Sequence, residues 1–207
     1  MRIRIIALIC LALGLISSPG QAQLIVVGSG AANACWRAAE FGGNMNTGFA
    51  ECSRALAQPS ISLYNRAATY VNRAVLRMSA GDNSGALADA NIAASLRPSL
   101  GEAHVNRGAA LLNLMRPEQA LEAIDLGLER GTKRLHLVYY NRAAAKYLLG
   151  DIPGAYYDYI ASSDANPEYA PTLEALSHFE VITQPSANSG EDIILDVVAL
   201  SDPVHSP

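Results

Sequence analysis

Tyr70-Val71-Asn72-Arg73-Ala74, followed by Gly81-Asp82 and then Ala86, decides the architecture, because this stretch returns twice further along the chain. With Ala86, Ala120 and Ala155 as anchors, the copies lie 34 and 35 residues apart. Fourteen residues before each anchor stands an asparagine, then an arginine, then a small residue: Asn72-Arg73-Ala74, Asn106-Arg107-Gly108 and Asn141-Arg142-Ala143. A ring precedes each asparagine by two (Tyr70, His104, Tyr139), and Gly81, Met115 or Gly150 stands five before the anchor. Pro98, Thr132 or Pro167 follows the anchor by twelve. A period in the range of 20 to 50 residues is the mark of a stacked repeat, in which each unit buries the apolar face of its neighbour.

Inside each unit the apolar residues recur at three and four, as in Ala86, Ala90 and Ala93 or Ala120, Ile124 and Leu128. That is helical periodicity. Gly81-Asp82-Asn83 and Gly150-Asp151-Ile152-Pro153 interrupt it in mid-unit, so each copy reads helix, turn, helix, with Pro98 and Pro167 closing the second helix. Ala74, Gly108 and Ala143 are expected to face Ala86, Ala120 and Ala155 across the turn, since two helices approach closely only where side chains are small.

These units resemble tetratricopeptide repeats in their aromatic, small residue, mid-unit glycine, alanines and closing proline. Three copies (67–100, 101–135, 136–169) carry the likeness, and Met115, Thr132 and one extra residue before the third copy depart from it. The resemblance implies an all-α, right-handed superhelix of about nine helices, first helices lining the concave side. Residues 23–66 read as a degenerate first unit. A helix over Glu168 to Val181, striped by Tyr169, Leu173, Leu176 and Phe179, reads as a terminal cap (170–183). The tail 184–207 is polar and proline-punctuated except for the apolar run Ile193 to Val198, and it reads as flexible, with an ordered strand or a docked segment that folds back into the groove as the alternatives.

The chain opens with Arg2 and Arg4, an apolar run from Ile5 to Ile16, then Gly20 and Ala22. Such a pattern is a secretory signal peptide (1–22) with cleavage expected after Ala22, and its apolar run is too short to cross a bilayer. The expected destination is the periplasm of a Gram-negative bacterium, with secretion as the alternative. Without Arg2 and Arg4 the chain keeps 13 basic against 19 acidic residues and has no basic cluster. Nucleic acid and direct membrane insertion are therefore not expected of the processed protein. Cys35 and Cys52 would be the two remaining thiols, which in an oxidising compartment suggests one disulfide. Zinc is the rival, although it wants four ligands and no histidine lies nearby.

The once-per-unit asparagines are the sharpest functional candidates. In some tetratricopeptide proteins such residues grip a peptide backbone, so the resemblance implies that Asn72, Asn106 and Asn141 contact a peptide; an amide offers both the donor and the acceptor this needs. Val71, Val105 and Tyr140, one residue earlier, and Val75, Ala109 and Ala144, three later, share that helix face and are expected to make the groove apolar. Arg73, Arg107 and Arg142 read first as ion-paired with nearby carboxylates. Leu24 to Asn33 mimics a dinucleotide-binding turn but lacks the third glycine and a second strand, so no cofactor is expected. His104, His136, His178 and His205 are scattered, without the partners of a triad or metal site, and no enzyme activity is expected. The reading is therefore a scaffold for a peptide or protein segment, with a structural subunit of a cell-envelope assembly as the alternative.

Overall fold

A computed structural model of the chain describes residues 22–23, 25, 30–185 and 193–200. The expected signal peptide lies outside the described residues except for Ala22. Nine helices are described: α1 (Ala31–Phe41), α2 (Met45–Leu56), α3 (Leu63–Ser79), α4 (Asn83–Leu96), α5 (Gly101–Asn113), α6 (Pro117–Arg130), α7 (Leu135–Leu148), α8 (Ile152–Ala165) and α9 (Ala170–Leu176). They pack as the hairpins α1/α2, α3/α4, α5/α6 and α7/α8, with α3, α5 and α7 touching in succession, so the all-α repeat solenoid is the fold. None of these helices is long and apolar enough to cross a membrane.

The small residues sit as the repeat pattern requires. Ala74 packs with Ala86, and Ala143 with Ala155. A Cβ on Gly108 would lie 2.4 Å from Ile124 Cγ1 and 3.1 Å from the Ala120 carbonyl oxygen, leaving no room for a larger residue without movement.

Each mid-unit turn ends its first helix in the same way. Asp82, Arg116 and Asp151 donate their backbone N–H to the carbonyls of Arg77, Leu111 and Lys146, at 2.8, 2.9 and 2.9 Å. These reverse bonds satisfy carbonyls that the helix end would leave open, and they need a left-handed residue one position earlier. Gly81 and Gly150 supply it with φ of 79° and 83°, and Met115 adopts a φ of 56° at the same place. The departure noted in the sequence thus leaves the turn unchanged and places a side chain where glycine is at ease. Asp82 and Asp151 then cap α4 and α8 by accepting from the N–H groups of Gly85 and Gly154, whereas α6 starts on Pro117.

Cys35 of α1 and Cys52 of α2 are joined by a disulfide with a Cα separation of 4.7 Å, at the centre of an apolar cluster with Leu76. Arg73 grips Asp89 through two hydrogen bonds of 2.8 and 2.7 Å, and Arg142 grips Asp158 at 2.8 and 2.6 Å. The middle unit has Ala123 where the others have Asp89 and Asp158, and among the described residues Arg107 makes no ion pair.

The C-terminal end differs from expectation. α9 stops at Leu176, and Phe179–Pro185 forms strand β1, paired antiparallel with Ile193–Ala199 as strand β2 in the register Phe179↔Ala199 to Pro185↔Ile193. The cap over the last repeat is therefore a short helix plus a hairpin, with β2 against α8, and residues 179–185 and 193–199 form a structured hairpin. Tyr169, Leu176 and Phe179 still share one cluster with Tyr140 and Tyr159, as the stripe suggested, but Leu173 is exposed. The i, i+3 spacing mimicked a longer helix. The β-branched Val181-Ile182-Thr183 and the apolar run at 193–198 instead complete each other's backbone hydrogen bonds, which a lone strand leaves open.

Candidate functional site

The three repeat asparagines occupy equivalent places on α3, α5 and α7, and all are fully buried. For two of them the described structure gives the partner. Asn72 Oδ1 accepts the backbone N–H of Ile25 at 2.9 Å while its Nδ2 donates to the Ile25 carbonyl at 2.7 Å. Asn106 does the same for Gln23, at 2.9 and 2.7 Å. A second Asn106 amide hydrogen goes to the Glu102 carbonyl at 2.8 Å, which pins the side chain to its own helix.

Both backbone polar groups of one residue are thus satisfied by one amide, and the next asparagine along the stack takes the residue two earlier, so the segment runs opposite to the order of the units. Alternate residues of an extended strand turn the same way, so this step of two matches a strand laid across successive first helices. The amides' orientation is unambiguous, because a peptide N–H requires the Oδ1 and a peptide carbonyl requires the Nδ2. Leaving such groups buried without partners would cost about 1–3 kcal/mol each.

The side chains of the segment are also held. Gln23 is 1% exposed: its Oε1 accepts from the Thr132 hydroxyl, and its Nε2 donates to the Arg134 carbonyl at 3.3 Å. Both partners belong to the connection between α6 and α7. The Arg134 guanidinium meanwhile binds both carboxylate oxygens of Glu40 at 2.9 Å, tying the end of α1 to the start of α7. Ile25 is buried in the apolar cluster that includes Ala68, Val71, Leu100 and Ala103. Gly30, with a φ of 65°, then opens α1.

The residues expected to line the groove are all buried. Val71 shares a cluster with Ala93 and Ala94 of α4; Val105 faces α6, where a Cβ on Gly127 would approach its Cγ2 to 2.5 Å. The Tyr140 ring meets Tyr159 and Tyr169 edge-on, each at 5.6 Å between centroids. Val105 and Tyr140 thus meet the helices behind their own first helix, whereas the Val71 cluster also holds the docked Ile25. Val75, Ala109 and Ala144 are buried, Ala144 against residues of α5 and α6 in the preceding unit. A first helix is wedged between its hairpin partner and the neighbouring first helices, so positions flanking the asparagine are consumed by packing.

His104, in the ring position of the second unit, is a packed residue. Its Nε2 lies 2.9 Å from the Pro98 carbonyl oxygen, and its Nδ1 is buried without a partner among the described residues. Because a carbonyl only accepts, the proton sits on Nε2. Burial, reinforced by Arg107 and Arg130, holds the ring's pKa below the usual histidine value despite the Pro98 carbonyl, which acts the other way.

Sequence reasoning missed Gln23, Thr132 and Arg134. Thr132 was visible only as a departure from the repeat, a non-proline where the other copies have Pro98 and Pro167. No protein-family model matches the chain, and no curated protein matches it.

Proposed function

We propose that this protein is an exported scaffold of tetratricopeptide type whose first-helix face holds an extended polypeptide segment of a partner by its backbone. The observation that carries this reading is the paired hydrogen bonding of Asn72 and Asn106 to Ile25 and Gln23: a grip on main-chain groups that any extended peptide can offer. Asn141 holds the equivalent place on α7 and would extend the ladder by one unit. Catalysis plays no part in this reading, which uses neither cofactor nor metal.

The filling of this face by the chain's own residues favours a second reading, a structural subunit of an envelope assembly that meets its neighbours elsewhere on its surface. Affinity capture from solubilised envelope separates the two. Under the groove reading, a captured partner is lost from Asn72→Ala and Asn106→Ala chains and is competed off by a peptide copying residues 21–27. Capture unaffected by either treatment would leave only the structural-subunit reading.

A further inference from the structure

We propose that this face also reads side chains, selecting a carboxamide at one position and an aliphatic residue two positions later, and that Gln23 and Ile25 are an internal copy of that motif. The inference rests on the groove reading above and adds the chemistry of the ligand to it. The selectivity lies in the connection between α6 and α7. Arg134 presents a carbonyl, which can only accept; Thr132 presents a hydroxyl, which then has the amide oxygen to donate to. One donor and one acceptor, both partly buried and both met by the buried Gln23 side chain, match a primary amide.

A carboxylate in the same place would set an anionic oxygen against the Arg134 carbonyl at the 3.3 Å now occupied by Nε2. With the residue 1% exposed, water cannot relieve that contact. The Arg134 guanidinium is directed to Glu40, with its Nη2 donating to both carboxylate oxygens at 2.9 Å. An aliphatic side chain at the Gln position would leave the Thr132 hydroxyl and the Arg134 carbonyl without these partners. At the second position Ile25 is buried in an apolar cluster with Ala68, Leu100 and Ala103, so a β-branched or similar aliphatic residue fits and a charged one does not.

The repeat itself marks the carboxamide site as particular. Where the first and third units close their second helix with Pro98 and Pro167, the second has Thr132, and that hydroxyl is the one that reaches Gln23. A proline there could not donate. Local rules of a repeat are broken most often where a site needs something else.

The test uses the exported chain, a Gln23→Glu chain, and two fluorescent N-acetylated peptides copying residues 21–27, one with the glutamine at the position of Gln23 and one with glutamate there. In the unmodified chain the tethered segment competes at high effective concentration. Glu at position 23 should release it, raising hydrogen exchange at the Ile25 amide about tenfold or more. The glutamine peptide should then bind the Gln23→Glu chain about tenfold or more tightly than it binds the unmodified chain, and the glutamate peptide should bind neither. Thr132→Val should narrow the difference between the peptides, and Thr132→Ser should restore it. Equal binding of the two peptides, binding of neither, or unchanged Ile25 exchange in the Gln23→Glu chain overturns the proposed selectivity. If the peptides bind alike but lose affinity in Asn72→Ala, the backbone grip survives and only the side-chain code falls; affinity indifferent to both asparagines removes the groove reading itself.

Discussion

Replacing Asn106 by alanine isolates the backbone grip from everything else on the face. The change deletes two hydrogen bonds to Gln23, at 2.9 and 2.7 Å, while the Asn72 bonds to Ile25 remain in place. A typical net worth of about 1 kcal/mol per hydrogen bond gives a loss near 2 kcal/mol. The desolvated N–H and C=O of a buried Gln23 would add to that, but the segment escapes this addition by leaving for water, so docking energy caps the loss. At 1.4 kcal/mol per decade, 2 kcal/mol corresponds to about a 30-fold rise in the population of the undocked segment. The Ile25 amide is the right probe, because its own partner Asn72 is untouched and its exchange reports release of the segment as a whole. Hydrogen exchange followed by NMR should show it about 30-fold faster in Asn106→Ala, with amides of α5 and α6 little changed. An Ile25 amide that exchanges within about threefold of the unmodified protein in Asn106→Ala would refute the reasoning, because lost bonds of this number cannot be worth so little.

Met115→Gly should stabilise the fold by about 0.5–1 kcal/mol in chemical denaturation, the relief of a left-handed φ of 56° outweighing glycine's greater freedom when unfolded, whereas Met115→Val should destabilise it. His104 makes the protein acid-sensitive: its folded pKa lies below its unfolded value near 6.5, so the unfolded chain binds the extra proton, and stability intact above that value falls as pH drops below it. Thermal unfolding at neutral pH and at about pH 5 should show a smaller acid-induced drop for His104→Tyr, the ring type of the flanking units. His136, also lowered by burial and by Arg134, acts in the same direction and leaves a residual drop. Replacing both Cys35 and Cys52 by alanine opens a loop with a sequence separation of 17 and should cost about 3 kcal/mol, lowering the melting temperature by roughly 6–12 °C. N-terminal sequencing of exported protein should begin at Gln23; its carboxamide, engaged by Thr132 and Arg134, should stay open and not cyclise onto its own amino group, which mass spectrometry reads as no loss of ammonia.

The repeat spacing and the periodic alanines determined by themselves that the chain is a stack of helical hairpins with turns at Gly81, Met115 and Gly150, because each such rule is local: a small residue, a left-handed turn, a period of 3.6. They also singled out Asn72, Asn106 and Asn141. What those asparagines face was decided only by the tertiary structure, since residues 23 and 25 are separated from Asn106 and Asn72 by 83 and 47 positions, and no local rule reports a contact at that range. The cap shows the same division: the apolar stripe of Tyr169, Leu176 and Phe179 was legible, but whether it belonged to a helix or a strand depended on backbone partners at 193–199. Thr132 is the clearest case. In the sequence it was a flaw in a repeat, and it acquired chemical meaning only when folding brought the glutamine amide against its hydroxyl.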